Sequence, residues 1–285
     1  MKKIKVLALC AIAAGVITSC QKDEINNDLQ PESIELSKDL QDKMLAAGVN
    51  PGDAYIKDMV NPLTGDSEKM VVSGDINIFL KTLEADGYAL GDTEDGNKQY
   101  RTNNLVSSGN RTIDILGFTG SCCALSSRMQ TGLQWAVNNY NRINTTLNFR
   151  LTFGTNFQAA DMVVYDNGQG GQGGSAGFPE GGRPFKFIQI LSGMASASNN
   201  VNEHVIGHEI GHALGFRHTD YARRRCGGAN EGTAGVGAIN IPGTPSANQW
   251  GQSGLDSGSL MISCFDGSED GEFSNFDIVA LEFLY

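Results

Sequence analysis

The sequence of 285 residues has few basic residues, few histidines and no long hydrophobic run. Its 21 lysines and arginines are outnumbered by 32 aspartates and glutamates, which gives a formal charge of -11. This balance argues against nucleic acid as a partner, because a phosphate-binding surface needs clustered positive charge. The apolar run from Val6 to Ile17 is shorter than the roughly 20 residues that a membrane-spanning helix requires. An apolar fraction of 40% is still enough for a folded core.

The amino terminus has the features of a secretory signal. Lysines precede the apolar run, and small residues lead from it to Cys20. This pattern resembles a bacterial lipoprotein signal, which implies removal of residues 1–19 and a lipid on Cys20 that anchors the chain to a membrane. An ordinary signal peptide cut nearby is the alternative. The following residues, Lys22-Asp23-Glu24, resemble a surface-export tag. We therefore expect a surface-exposed outer-membrane lipoprotein, with a periplasm-facing anchor as the alternative.

Residues 20–108 form an acidic leader, with eight basic and seventeen acidic residues and no histidine or tryptophan. Ser37 is placed to cap a helix that runs to Ala47 and ends at Gly48. No motif in this segment suggests catalytic chemistry. We interpret it as a partly folded module and as a candidate pro-segment.

Residues 109–285 form the second predicted domain. Apolar periodicity predicts helices at 126–140, 201–214 and 274–285, and alternation predicts strands at 149–153, 161–165 and 184–191. The expected class is therefore α+β. Eight glycines between residues 165 and 182 indicate a flexible loop, with a specific binding device as the alternative.

All four histidines lie in one 15-residue window, at positions 204, 208, 212 and 218. Because four residues make about one helical turn, His208 and His212 project from one face and can hold a single metal ion. Glu209 directly follows His208 in the helix, and its side chain can reach a water molecule bound to the metal. Gly215 permits the left-handed turn that ends a helix, so the chain can return and present His218. Three imidazoles leave a fourth position open, which predicts a catalytic zinc site rather than incidental histidines.

The window contains the letters HEIGHALGFRH and resembles the metzincin zinc peptidases, in particular the HEIGH metallopeptidases of family M57. The segment around Met261 is similar to the methionine turn of metzincins, although Ser263 stands where some members carry an assisting tyrosine. This resemblance covers about residues 109–285. It implies a twisted mixed sheet with two long helices, an irregular carboxy-terminal subdomain with the Met-turn, and a terminal helix.

The resemblance implies a zinc metalloendopeptidase that hydrolyses extracellular proteins or peptides with one catalytic zinc ion. A zinc-activated water would attack, with Glu209 as general base. The implied edge strand for substrate consists of Ser175, Ala176, Gly177 and Phe178. We expect a monomer, and the sequence leaves structural calcium undecided. The alternative function is a non-catalytic, zinc-containing surface adhesin or glycan-binding lipoprotein. Glu209 favours the enzyme, because a structural zinc site has no use for a base.

Three further expectations concern the surroundings of the zinc. Asp220 is expected to orient a ligand histidine, and His204 to lie beside the site or to be merely structural. Cys226 and Cys264 flank the metal, so we favour their disulfide among the three complete pairings of the four remaining cysteines. The other two, at 122 and 123, either stay as thiols or pair with that set.

The leader is predicted to inhibit the enzyme. Residues 21–121 contain no cysteine that could cover the zinc. The blocking group is therefore expected to be an aspartate or glutamate, or the pair Cys122 and Cys123. Arg223, Arg224 and Arg225 form either a solvated basic turn or a docking point for the leader or for acidic substrate groups.

Overall fold

The leader folds into its own small layer, and the rest of the chain forms a mixed sheet with helices on it. The computed structural model describes residues 36–88, 99–228, 230–234 and 237–285. Predictions that concern residues 1–35, including the signal peptide and Cys20, lie outside this part. No helix in the described residues is long and apolar enough to cross a membrane.

In this part of the chain the α-helices are α1 (Lys38–Ala47), α2 (Leu80–Glu84), α3 (Ser127–Arg142), α4 (Asn199–Leu214) and α5 (Asn275–Leu284). The strands are β1 (Tyr55–Val60), β2 (Ser67–Ser73), β3 (Ile76–Phe79), β4 (Tyr100–Arg101), β5 (Thr112–Phe118), β6 (Asn148–Gly154), β7 (Met162–Asp166), β8 (Gly174–Ser175), β9 (Phe187–Ile190), β10 (Thr233–Ala234) and β11 (Gly237–Asn240). Short 3-10 turns cover Ser108–Asn110 and Ser192–Ser196.

In the leader, α1 packs on a three-stranded antiparallel sheet in the order β1-β2-β3. The helix begins as predicted, because the Ser37 side chain accepts a hydrogen bond from the Leu40 amide, and Gly48 ends it in the left-handed conformation. Its apolar face joins a buried cluster with β2 and β3 that also contains Phe178 from the second domain. The leader thus packs against the domain that follows it.

The main sheet has the order β6-β5-β7-β9-β8. The first four strands are parallel, and the short edge strand β8 pairs antiparallel with β9. The two 16-residue helices, α3 and α4, pack on each other and on this sheet. Their common core includes Met70 and Val72 from leader strand β2, which ties the leader to the sheet.

The carboxy-terminal part is irregular up to α5. The pair β10 and β11 joins β4 in a small sheet, and α5 begins at a capping box formed by Ser274 and Asp277. The α+β class is confirmed. The described residues form one compact unit by their contacts, and the proposed boundary between residues 108 and 109 stays a prediction.

Candidate metal centre

Helix α4 places His208 and His212 side by side at the centre of the molecule. The Ser198 side chain caps the helix by accepting from the Val201 amide, and every residue from Val201 to Leu214 is buried. Gly211 lies against the Met261 sulfur, at a spacing that leaves no room for a Cβ atom. A larger residue at this position would force Met261 away from the helix.

Gly215 ends α4 and turns the chain back toward the helix. Its φ of 106° lies in the left-handed region, and its amide donates to the His212 carbonyl at 2.8 Å. The returning segment is held by the Arg217 amide, which donates to the Tyr100 carbonyl at 2.9 Å. His218 therefore arrives beside the two helical histidines. Its Nε2 lies 3.2 Å from the Nε2 atoms of both His208 and His212.

The helical imidazoles are oriented by main-chain carbonyls. His208 Nδ1 lies 2.8 Å from the Leu260 oxygen, and His212 Nδ1 lies 2.8 Å from the Phe216 oxygen. Because a carbonyl oxygen only accepts, each Nδ1 carries the proton and each Nε2 presents a lone pair. These lone pairs point at a common centre, which is the arrangement of metal ligands.

A fourth donor comes from the leader. Asp75 lies in the turn between β2 and β3, and its Oδ2 lies 3.0 Å from His218 Nε2 and 3.5 Å from His208 Nε2. One ligand atom from each of the four residues lies within 4.8 Å of all the others. The sequence analysis expected an unspecified carboxylate here, but no local signal singled out Asp75.

The donor set fits zinc. Zinc with ligands at about 2.0–2.1 Å in a tetrahedron separates those ligands by about 3.3 Å, and the histidine Nε2 atoms lie 3.2 Å apart. Imidazole nitrogens and a carboxylate oxygen are ligands that zinc accepts. His208, His212, His218 and Asp75 would hold the ion.

Glu209 lies next to these donors without joining them. Its side chain is 2% exposed and packs against Gly174 of β8. Its Oε2 is buried and has no hydrogen-bond partner in the part of the chain that the structure describes. Burial raises the pKa of this carboxyl, and the Asp75 carboxylate raises it further. The arrangement provides a proton acceptor beside the metal ligands.

Met261 lies beneath the histidines in a turn that Asp277 anchors. The Asp277 carboxylate accepts from the Ser259 hydroxyl at 2.6 Å and from the Leu260 amide at 2.8 Å. The Met261 carbonyl in turn accepts from the Thr219 amide at 2.8 Å. This turn thereby fixes the Leu260 carbonyl that orients His208.

The expectation that Asp220 orients a histidine is wrong. Its carboxylate accepts from the Ser263 amide and hydroxyl, at 3.0 and 2.9 Å, and from the Arg225 amide at 2.7 Å. Asp220 instead fastens the chain that follows Met261. The carboxylate that contacts a ligand histidine is Glu231, whose oxygens lie 2.7 and 2.9 Å from His218 Nδ1. No sequence signal pointed to Glu231.

A cavity of about 460 Å³ opens beside His208 and Glu209. Its lining is polar and apolar in nearly equal parts, and the apolar part comes from Leu191 after β9, Val205 of α4, and Ile262 and Phe265 after Met261. His204 also lines it, one turn before His208. Burial lowers the pKa of His204 to about 4, so its ring is neutral at pH 7.

The predicted substrate strand is shorter than expected. Ser175 lies in β8, but Ala176 makes only a single parallel bridge with Ile76 of the leader, and Gly177 and Phe178 lie outside the strand. The chain leaves the sheet here because Phe178 is buried in the leader cluster. The edge of the main sheet is consequently covered by the leader.

Cys226 and Cys264 form a disulfide, the pair that the sequence analysis favours. Cys122 and Cys123 are free, with their sulfurs 2.7 Å apart. They lie next to the Pro62 carbonyl and a separate apolar cluster, so neither sulfur is among the four metal donors.

A buried helix with two histidines four residues apart, an intervening glutamate and a third histidine beyond a glycine turn defines a metallopeptidase metal centre. Residues 70–285 match the family model of peptidase family M57, described as dual-action HEIGH metallo-peptidases. The match spans more than half of the chain, and it includes Asp75 and the end of the leader. The chain belongs to this family and is a metallopeptidase that acts on proteins or peptides.

Two solved structures of myroilysin are similar to the chain. One has a TM-score of 0.35 and 16% identity, and the alignment covers 59% of this chain and 77% of that chain. The other has a TM-score of 0.37 and 14% identity, with 62% and 83% covered. No match was found among curated proteins.

Proposed function

We propose that the chain is a zinc-dependent endopeptidase of metzincin type, with His208, His212 and His218 as ligands and Glu209 as general base. The observation that carries this proposal is the convergence of three Nε2 lone pairs beside a buried carboxylate with a partnerless oxygen. The two long helices on a mixed sheet and the position of Met261 against Gly211 support the metzincin assignment.

In hydrolysis, the bound zinc ion and Glu209 have separate roles. A bound zinc ion supplies Lewis acidity to water and to the scissile carbonyl. Glu209 accepts a proton at its partnerless Oε2 and passes it to the leaving amine. Burial and the Asp75 carboxylate raise the pKa of Glu209, which makes its carboxylate a stronger proton acceptor.

Substrate recognition combines a strand edge with a side-chain cavity. An extended peptide can pair with the main chain of β8, the edge strand that lies against Glu209. Because Glu209 must reach the leaving amine, the cavity beside it receives the side chain that follows the scissile bond. The apolar walls at Leu191, Val205 and Phe265 favour cleavage before an apolar residue.

We also propose that the leader holds this enzyme latent. Asp75 presents its carboxylate to the three histidines, at the position where water would have to bind. The leader pairs with the sheet edge at Asp75 and Asn77: the Asn77 amide donates to the Ala176 carbonyl at 2.7 Å, and the Ala176 amide donates to the Asp75 carbonyl at 3.0 Å. Arg224 adds an ion pair to Asp53 at 3.2 Å.

The catalytic proposal is tested with the chain from Gln21, in which Asp75→Ala opens the site. Cleavage of a denatured protein should be zinc-dependent and should fall about 10²–10⁴-fold when Glu209→Gln is added, with one zinc still bound. The surface variant Glu282→Gln serves as the control and should not change the rate. Equal cleavage with and without Glu209 would refute the proposal. A zinc-loaded protein that never cleaves would favour the adhesin or glycan-binding alternative.

Latency is tested by comparing the wild-type chain with Asp75→Ala, Asp75→Asn and the exposed control Asp66→Ala. We expect both Asp75 variants to cleave at least about 10-fold faster than wild type, because a competing ligand is removed. Asp66→Ala should behave as wild type. A wild-type chain that cleaves as fast as the Asp75 variants would show that the leader does not inhibit.

The membrane anchor is a separate proposal, supported by the sequence before residue 36. Cys20 would carry the lipid, and the chain would be displayed on the outer membrane. Radioactive palmitate should label the wild-type chain and not the variant Cys20→Ala. Protease treatment of intact cells should remove the protein if it is surface-exposed and spare it if it faces the periplasm.

A further inference from the structure

The three ligand imidazoles are not oriented by the same kind of group. His208 and His212 donate their Nδ1 protons to the main-chain carbonyls of Leu260 and Phe216. His218 instead donates to a carboxylate, and both oxygens of Glu231 lie within 2.9 Å of its Nδ1. A carboxylate holds an imidazolium-like proton more strongly than a neutral carbonyl does.

Glu231 is built into the protein as a fixed acceptor. Its side chain is 10% exposed, and its amide donates to the Tyr221 carbonyl at 2.8 Å. Its own carbonyl accepts from the Arg217 guanidinium. Main-chain contacts therefore set the position of the carboxylate, 13 residues beyond His218.

Two guanidinium groups stabilise the negative charge of Glu231. Arg224 Nη1 lies 3.4 Å from Oε1, and Arg217 Nη2 lies 3.8 Å from Oε2. A buried carboxylate would otherwise be costly, since burial disfavours the charged form.

We propose that Glu231 is the positioning residue of His218. It fixes the tautomer that presents Nε2 to the metal, it sets the orientation of the ring, and its charge strengthens this nitrogen as a donor. His218 is thereby held as firmly as His208 and His212, the two ligands on helix α4. The inference rests on the proposed metal site but not on peptide hydrolysis.

The substitutions Glu231→Gln and Glu231→Ala separate orientation from charge. Glutamine keeps an oxygen that accepts from Nδ1 but removes the charge, whereas alanine removes both. Since loss of such a partner weakens metal affinity about 10–100-fold, we expect the dissociation constant of zinc to rise about 10-fold in Glu231→Gln and toward 100-fold in Glu231→Ala. The matched variants Glu282→Gln and Glu282→Ala, on the exposed face of α5, should leave it unchanged.

The measurement is zinc competition with a chromophoric chelator on the full chain from Gln21, with thermal melting of each metal-free variant alongside. Cobalt(II) loading gives a second readout, because the visible d–d spectrum should change in both Glu231 variants and in neither Glu282 variant. If Glu231→Ala binds zinc as tightly as wild type, the inference is overturned, whether or not its melting temperature falls. Weakened zinc binding with an unchanged melting temperature gives the strongest support. Failure of the proposed function looks different, since the Asp75→Ala protein would then bind zinc tightly and cleave nothing.

Discussion

Helix α4 and the leader both contribute donors to the metal centre, but helix α4 does so through local geometry and the leader through long-range contacts. The helix brings His208, Glu209 and His212 together within five residues, so helical geometry alone determines their relation. The leader brings Asp75 to His218 across 143 residues of sequence, through strand pairing and burial. The first arrangement depends on one helix staying intact, whereas the second depends on contacts that release of the leader would break. We infer that the helix carries the chemistry and the leader carries its control.

The largest effect should come from a ligand on the helix. His212→Ala should abolish stoichiometric zinc binding and reduce cleavage in the Asp75→Ala background at least about 10³-fold, because the site loses a third of its imidazole ligands. Zinc content by atomic absorption and the rate on a denatured protein provide the measurement.

His204→Ala is the matched control, since His204 lies on the same helix one turn before His208 and is not one of the four donors. It should keep one zinc ion. If His204→Ala loses zinc as completely as His212→Ala does, the ligand assignment is wrong.

The next effect concerns Asp277 of α5, which holds the turn around Met261. Both oxygens of Asp277 accept hydrogen bonds, from Ser259 and Gln99 on one side and from the Leu260 and Ser274 amides on the other. In Asp277→Asn the side-chain NH₂ group must face two donors, so we expect the free energy of unfolding to fall by about 2–4 kcal/mol. Urea denaturation measures it.

The exposed Asp58→Asn is a suitable comparison, because its surface ion pair with Lys69 should contribute less than about 1 kcal/mol. Equal losses in the two variants would mean that the Asp277 network does not hold the Met-turn.

The smallest effect is a pH dependence of the protein's stability, which arises from Glu203 in the first half of α4. Burial, reinforced by Glu272, raises the pKa of Glu203 from 4.5 to about 7. The folded state therefore binds this proton more tightly than the unfolded state, and the stability of the protein falls as pH rises from about 4.5 to 7.

Glu203→Gln keeps an acceptor for the Asn139 side chain and removes the charge. It should stabilise the protein by about 1–3 kcal/mol at pH 8 and by much less at pH 5. Thermal melting at both pH values measures the difference. A variant that is no more stable than wild type at pH 8 would contradict the assignment.

Local features of the fold were largely predictable from the sequence. Capping residues and periodicity predicted α1, α3, α4 and α5 to within two residues at each end, because these signals act within one helical turn. Strand β5, which lies between β6 and β7 in the main sheet, was not predicted. Its apolar run is broken by Asp114 and Gly117, and it is a strand chiefly because β6 and β7 pair with it on both sides.

The residues of the site show the same difference between local features, which were predictable, and long-range contacts, which were not. The ligand spacing and Glu209 were predictable, because they lie on one helix and the turn after it. Asp75 and Glu231 were not, since their roles depend on tertiary contacts that sequence distance conceals. Asp220 looked suitable because it lies two residues from His218, but the Ser263 amide and hydroxyl already bind its carboxylate.

The most direct test of the account is a crystal structure of the full chain grown with zinc, with anomalous data recorded at the zinc edge. The account predicts one strong peak at about 2.0–2.2 Å from Nε2 of His208, His212 and His218 and from an Asp75 carboxylate oxygen. A peak at any other set of donors would contradict the metal centre. A peak at the three histidines with Asp75 displaced from it would contradict the role of the leader.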